Sequence, residues 1–417
     1  MQQPTEKIKA LSPNRQRWLI AGAFMLAQAF IWLVLFRNSR YGDKSITDVP
    51  IYYSYASRIA RGMLPYRDFA SEYPPVAMLL FSLPRIFSGL GYPAFNTWFE
   101  AEMCLFSCGN VALLAVAAWK QWGNLMKLAG ALGAYTLFIL AIGSIVESRF
   151  DLAAAFVILA SLVCFITDRY VWAWLLLGVG LMTKVVPVLI APFYLVIHLR
   201  RREWTDLWLG PALLLFAAGV IALPLLLLAP VGLADAFLYH VERPLQLESS
   251  WSSPLLLAAR FGNYPLRILN SYGSHNVFSS LSSAFASLTT PVTLLLLAAA
   301  YLFFFRRSGA GDGSGQLFRF AFVAIGVFVF AGKVFSPQFL IWLLPLAVLV
   351  RGPDRRLVLF LFGAVLVLTQ VEFPFNYWRL YSLNGIMIVE VAVRNALLGA
   401  LLLLTAVRSP KNLPDSV

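Results

Sequence analysis

Charge is what this sequence has least of: Asp, Glu, Lys and Arg make up 13% of its 417 residues, where a soluble domain carries about a quarter. No polar block of soluble-domain size interrupts the apolar runs, so a single membrane domain over 1–417 is expected, without an appended soluble one. Histidine and cysteine are scarce too, at three each. Cys104, Cys108 and Cys164 all fall in apolar stretches, where a thiol behaves as a small hydrophobe. An odd, buried set gives neither a disulfide framework nor a zinc spacing, and Cys104 and Cys108, which share a helix face, lack a histidine partner. Acids are outnumbered 20 to 33, yet the basic residues lie scattered between apolar runs, which argues against a nucleic-acid partner. A phosphate loop is missing as well: Ser308 to Gly315 has the glycines, but no Gly-Lys-Ser/Thr and no preceding strand.

What is present is hydrophobic length. The chain is 60% hydrophobic with a mean hydropathy of +0.74, and a membrane helix needs about 20 apolar residues. The first run, Trp18 to Phe36, follows Lys7, Lys9, Arg15 and Arg17; it is too long for a signal h-region and reads as an uncleaved first span. Further spans are expected near 97–119, 126–146, 151–167, 171–184, 185–199, 208–229, 283–305, 317–333, 337–350, 356–371 and 384–406, twelve in all. The segment 76–90 is shorter and carries Pro84 and Arg85. Short cytoplasmic loops collect Lys and Arg. Only if 76–90 does not cross do Lys120 and Lys127, Arg169, Arg200 to Arg202, Arg306 and Arg307, Arg319, Arg351, Arg355, Arg356 and Arg408 fall inside together. It is therefore expected to be re-entrant or interfacial, with both termini cytoplasmic. The resulting fold class is an all-α polytopic membrane protein.

Three outside loops are then unusually polar: 37–75, 147–151 and 231–281, whereas 306–319 reads as a flexible cytoplasmic linker. From Pro50 the apolar positions Ile51, Tyr52, Tyr55, Ala56, Ile59 and Ala60 form a helical stripe opposite Ser54, Ser57, Arg58 and Arg61, predicting an interfacial helix with Asp48 at its start. Asp48 fits an N-cap, with Pro50 just inside; the same place would hold a carboxylate at the membrane surface.

Beyond it come Gly62-Met63-Leu64-Pro65-Tyr66-Arg67-Asp68 and Tyr73-Pro74-Pro75, then Thr183-Lys184 with Pro187, Arg243-Pro-Leu-Gln-Leu-Glu-Ser249, and Ser336-Pro-Gln-Phe-Leu-Ile-Trp-Leu-Leu-Pro345. In order and spacing these resemble the polytopic GT-C glycosyltransferases, and within them the polyprenol-phosphate-mannose-dependent mannosyltransferases of glycosyltransferase family 87, from about residue 40 to 345. The resemblance implies a GT-C-like fold and an aspartate general base in the first outside loop, here Asp48. It also implies a polyprenyl-phosphate-linked sugar donor and a glycolipid or polysaccharide acceptor, with mannose favoured and arabinofuranose an alternative. The chemistry is coherent by itself: a carboxylate takes the proton of an acceptor hydroxyl attacking the anomeric carbon, while phosphate leaves as a stable anion.

A lipid-phosphate donor demands cations near the outer interface, for which Arg149, Lys184, Arg243, Lys333 and Arg379 are the candidates; each could instead be a snorkelling anchor. Asp151 and Glu147 flank Arg149, where the resemblance to GT-C enzymes implies a second acidic motif, unless the three form only a local salt bridge. His240 could assist proton transfer or bind a sugar hydroxyl. Tyr52, Asp68, Tyr73, Gln246, Glu248 and Gln338 are the substrate-contact candidates, and Trp251, Tyr264 and Tyr272 could stack on sugar faces. No cofactor is expected, and the scattered acids form no obvious Mg²⁺ or Mn²⁺ cage. Twelve spans with both ends inside is also the layout of a secondary transporter or lipid flippase, but no internal repeat is visible and the acids gather at one face. A catalytically dead scaffold of the same fold is a third reading. The expected setting is a bacterial plasma membrane, with the site extracytoplasmic.

Overall fold

The computed structural model describes residues 12–37, 46–89, 91–308 and 315–408. The chain is an α-helical polytopic membrane protein. Helix α1 (Pro13–Phe30) continues through a π-helical stretch, Ile31–Leu35, and then come α2 (Val49–Ala60), α3 (Pro75–Ser88), α4 (Tyr92–Trp122), α5 (Leu125–Ile142), α6 (Ile145–Ser148), α7 (Asp151–Ile166) and α8 (Tyr170–Thr183). The second half holds α9 (Ala191–Arg201), α10 (Trp204–Leu228), α11 (Pro230–Glu242), α12 (Ser252–Gly262), α13 (Ser282–Arg307), α14 (Gly315–Ala331), α15 (Leu344–Ala347), α16 (Arg355–Glu372), α17 (Tyr377–Tyr381) and α18 (Gly385–Val407). A hairpin, β1 (Arg267–Ser271) with β2 (Ser274–Phe278), is the one sheet among the described residues. Its turn residues, Tyr272 and Gly273, both take positive φ, as a two-residue hairpin loop requires.

Among the described residues, six helices are long and apolar enough to cross a membrane by length and composition: Pro13–Leu35, α4, α5, α10, α13 and α18. Others, among them α3, α7, α8 and α14, are shorter. Helices α7 and α14 are buried on nearly every face and form the centre of the bundle. Two expected spans are not regular α-helices. Residues 337–350 begin as a 3₁₀ segment, Pro337–Leu343, and 185–199 as Val186–Ile190; in each a proline sits at the start. Such backbone is tolerated at membrane depth where protein surrounds it, and Leu340 to Val350 are buried. Helices α8 and α10 pack through glycine: a Cβ at Gly178 would lie 2.4 Å from the Leu214 carbonyl oxygen.

The two ends of the bundle differ in charge. At one end Arg17 stacks on Trp119, Arg355 on Trp122 and Arg200 on Phe305, Arg201 reaches the Tyr170 hydroxyl, and Arg307 reaches the Val407 carbonyl. Asp48, Glu147, Asp151 and Lys184 lie at the opposite end. Helix α3 begins beside Tyr73 and ends with Phe87 against Trp98, near the start of α4, so it does not carry the chain to the basic end. Pro84 does not interrupt it. Arg319 departs from its expected linker position. It is fully buried on α14, bonded to the Thr405 and Arg351 carbonyls and paired with Asp354 at 2.5 Å. The helix thus claims 315–319, and 309–314 lie outside the described residues.

Candidate active site

At the acidic end the chain enters α2 through Asp48. The backbone makes the expected start, with the Asp48 carbonyl accepting from Ile51 and Tyr52, but the side chain caps nothing. It turns instead to Arg149, Oδ2 to Nε 3.1 Å, a contact between two loops far apart in sequence. Arg149 is 5% exposed; it also donates to Gln338 Oε1 at 2.6 Å and to the Ser148 and Ile46 carbonyls. The alternative of a purely local salt bridge within Glu147 to Asp151 gives way to a tertiary one: the basic residue of that loop pairs with the first loop, and Gln338 orients it.

Asp151 is fully buried at the start of α7 and bonds Lys184 Nζ at 2.6 Å and the Trp342 indole at 2.7 Å, both through Oδ1. The Lys184 ammonium is ringed by Phe150, Phe339 and Trp342 at 4.6, 5.3 and 4.9 Å from their centroids. A charge so enclosed is largely committed, so Lys184 stands as a pillar under the site more than as a free phosphate ligand. Sequence reasoning misses Trp342 and Phe339, whose stacked rings, 4.5 Å apart, complete this cage.

Helix α11 closes the site from the side of the third loop. Gly232 lets it rest on the Tyr66 backbone, where a Cβ would come within 1.9 Å of the carbonyl oxygen. His240 Nε2 meets the Glu72 carbonyl at 3.0 Å, and Glu72 in turn accepts from the Tyr55 hydroxyl at 2.7 Å. Desolvation by the surrounding protein, with the positive field of Arg243, Lys184 and Lys333, holds the His240 imidazole below its ordinary value, against the pull of the Glu72 carbonyl. Arg243 donates to Ser274 Oγ at 2.9 Å, while its buried Nε–H has no acceptor. Lys333 donates to the Val241 carbonyl. Asp48 contributes to the field at Arg243, so this carboxylate and the cations share one electrostatic neighbourhood.

Gln246 and Glu248 are buried and bonded to each other at 2.6 Å. Burial pushes the Glu248 carboxyl up to about 7, against the pull of Arg394 and then Arg149. Arg394 and Glu372, a fully buried pair at 3.1 Å, are not among the residues singled out in the sequence. The signal is available: Arg394 is a charge inside an apolar span, which by itself marks a structural or functional site.

Other candidates fall elsewhere. Tyr52 is fully buried and stacks on Phe81 at 4.1 Å, in an aromatic core with Phe99 and Phe150; it supports the floor and offers substrate no surface. Tyr73 is half-buried against the same rings. Asp68 closes the turn at Leu64, accepting from its N–H at 2.7 Å, and the Arg67 guanidinium followed by that N–H lowers its carboxyl to about 2. Arg379 is exposed and lines a separate cleft of 730 Å³ with Arg260, Asn263 and Asn384. Tyr272 lies in the hairpin turn against Tyr239, Trp251 donates to the Ala331 carbonyl, and Tyr264 bonds Ser280, so packing and local bonds account for the three aromatics.

Among the described residues, one His/Glu/Asp group has the closeness of metal ligands, His198, Glu203 and Asp206, at the basic end of the bundle. There the Trp174 indole N–H points at His198 Nε2 (3.4 Å), which leaves the proton on Nδ1 facing Glu203 at 2.7 Å. Metal binding through Nδ1 would move that proton to Nε2, opposite another donor, so the donor set fits a hydrogen-bonded triad better than an ion.

No family model and no curated protein matches the chain. Among solved structures it is similar to the apo form of the Archaeoglobus fulgidus oligosaccharyltransferase, with a TM-score of 0.46 and 11% identity over 94% of this chain and 54% of that one. The chain thus spans about half the length of that structure.

Proposed function

We propose that this chain is an inverting glycosyltransferase of the GT-C type, which moves a sugar from a polyprenyl-phosphate donor to an acceptor hydroxyl of a glycolipid or glycan. The reaction would take place at the extracytoplasmic face of a bacterial plasma membrane, with both termini on the cytoplasmic side. The single observation that carries this reading is Asp48: a carboxylate at a helix start that leaves the cap unmade, is held by a buried arginine, and stands among cations at the acidic end of the bundle.

In this reading Asp48 accepts the proton of the acceptor hydroxyl as its oxygen bonds to the anomeric carbon, and the bond from that carbon to the phosphate oxygen breaks. Both electrons of the broken bond leave with the polyprenyl phosphate. Arg243, with its unpaired Nε–H, and Lys333 are the groups that receive the phosphate charge. Neutral His240 offers a hydrogen bond nearby. Mannose is the favoured sugar, on the family resemblance alone.

The test is transfer by the purified protein from a radiolabelled polyprenyl-phosphate sugar to a membrane lipid extract, beside Asp48→Ala. Removal of a general base lowers the rate about 100- to 10,000-fold. Product formation that survives Asp48→Ala removes the proposed base; no turnover, with substrate counterflow in liposomes, makes the chain a transporter.

A further inference from the structure

Beside the base lies a cavity of 410 Å³, within the range of about 300–1,000 Å³ in which small-molecule sites fall. Its wall includes Thr47, Tyr92, Asn96, Thr97, Glu100 and Glu147. It adjoins the Asp48–Arg149 pair from both stretches of chain that form it, since Thr47 precedes Asp48 and the lining Ser148 precedes Arg149. Among the described residues of the wall there are two carboxylates, an amide, hydroxyls and an aromatic ring, but no lysine or arginine. Asn96 donates to Glu100 Oε1 at 2.6 Å across one turn of α4, which fixes both, and Tyr92 is held edge-on against Tyr53 at 5.5 Å.

Arg149, beside the cavity, is already engaged by Asp48 and Gln338, and the remaining cations stand on other elements. Arg243 ends α11 and Lys333 follows α14, and neither contributes to this cavity. The neighbourhood of Asp48 therefore has a cationic part suited to a departing phosphate and an acidic, hydroxyl-rich part that would repel one. Carboxylates accept hydrogen bonds from sugar hydroxyls, amides both accept and donate, and an aromatic ring covers a sugar's apolar face.

We infer that this cavity is the acceptor subsite and that it takes an uncharged sugar ring, rejecting one that carries phosphate or carboxylate. The inference rests on the transferase reading for the word acceptor, but its charge preference is testable without turnover. The probes are methyl α-D-mannopyranoside and its 6-phosphate, with the full chain in phosphatidylcholine nanodiscs and saturation transfer from protein to ligand observed by NMR. The uncharged glycoside is expected to bind and its phosphate not to. Asn96→Ala and Glu100→Gln should each weaken binding about tenfold, the loss of one hydrogen bond to a sugar hydroxyl, while Arg243→Ala leaves it within about twofold. Thermal midpoints of the variants separate lost contacts from lost fold. Equal binding of the phosphate, binding indifferent to both cavity variants, or binding abolished by Arg243→Ala overturns the assignment. Transfer assays in parallel keep the two readings apart: binding without transfer counts against the reaction, and transfer indifferent to the cavity variants counts against the subsite.

Discussion

Replacing Lys184 by Met, one atom shorter, keeps most of the side chain and its packing against Phe150, Phe339 and Trp342, but strands Asp151. That carboxylate has no solvent exposure, keeps the Trp342 indole on Oδ1, and has no partner for Oδ2. At 2.6 Å and an effective dielectric of about 20 the direct attraction is about 6 kcal/mol, most of it offset by the cost of taking both charges out of water. What a single substitution exposes is the unpaired charge, about 3–5 kcal/mol. Asp151→Asn should cost less, about 1–3 kcal/mol, because the amide still accepts from Trp342 and the Lys184 side chain is 17% exposed. The double variant removes both charges and leaves neutral groups of matching shape, so it should be more stable than Lys184→Met alone. The assay is a double-mutant cycle on reversible unfolding in mixed micelles, followed by circular dichroism. Additive losses, or a Lys184→Met variant within about 1 kcal/mol of the parent, would refute the view of this pair as a buried pillar and make Lys184 a free phosphate ligand again.

Two more outcomes depend on single contacts. Gly232→Ala places a methyl group against the Tyr66 carbonyl and must lift α11 off that turn. The thermal midpoint should fall, by the equivalent of about 1–3 kcal/mol, and the donor KM should rise as His240 and Arg243 shift; an unchanged donor KM would mean that α11 does not position them. Glu248, raised from 4.5 to about 7 by burial, binds a proton in the folded state that the unfolded state releases. Its contribution to stability is therefore complete below about pH 4.5 and lost as pH rises through about 7. The midpoint of the parent relative to Glu248→Gln should decline over that window, and a flat difference would show that the carboxyl titrates normally.

The class of fold is legible in the sequence because hydrophobic length is a local property, and the two-ended charge distribution is legible because loop charges are too. Asp48 and Arg149 can each be found there, but not their pairing: a contact between distant loops leaves no periodicity behind. Instead, Asp48 beside Pro50 suggests a cap and Arg149 between two acids suggests a local bridge, and tertiary structure chooses neither. Periodicity puts Tyr52 on the correct helix but in the wrong surroundings, since an amphipathic stripe shows that a ring is apolar-facing without showing that other aromatic rings already fill the space. The 3₁₀ stretches at Pro187 and Pro337 are hidden by composition, because an irregular segment sealed inside protein is as apolar as a helix facing lipid.

The buried pair Arg394 and Glu372 explains how a loop can present a cation reproducibly. The segment from Leu245 to Trp251 has little regular structure, yet it is tied down on both sides. Arg394 and Asn395 of α18 both donate to the Glu248 carbonyl, and Asn395 also reaches Ser253. On the other side the Gln246 backbone amide donates to the Lys333 carbonyl and the Trp251 indole to that of Ala331. The hairpin adds a third tie, exchanging backbone bonds through His275 and Val277 with Leu247 and Leu245. A guanidinium inside an apolar span is costly, and here its donors are spent on main-chain and carboxylate oxygens that a mobile loop would leave to water. Arg243 is thereby fixed at the junction of α11 and an anchored strap, which is the rigidity that its proposed role toward the donor phosphate requires if it is to meet that charge without reorganising.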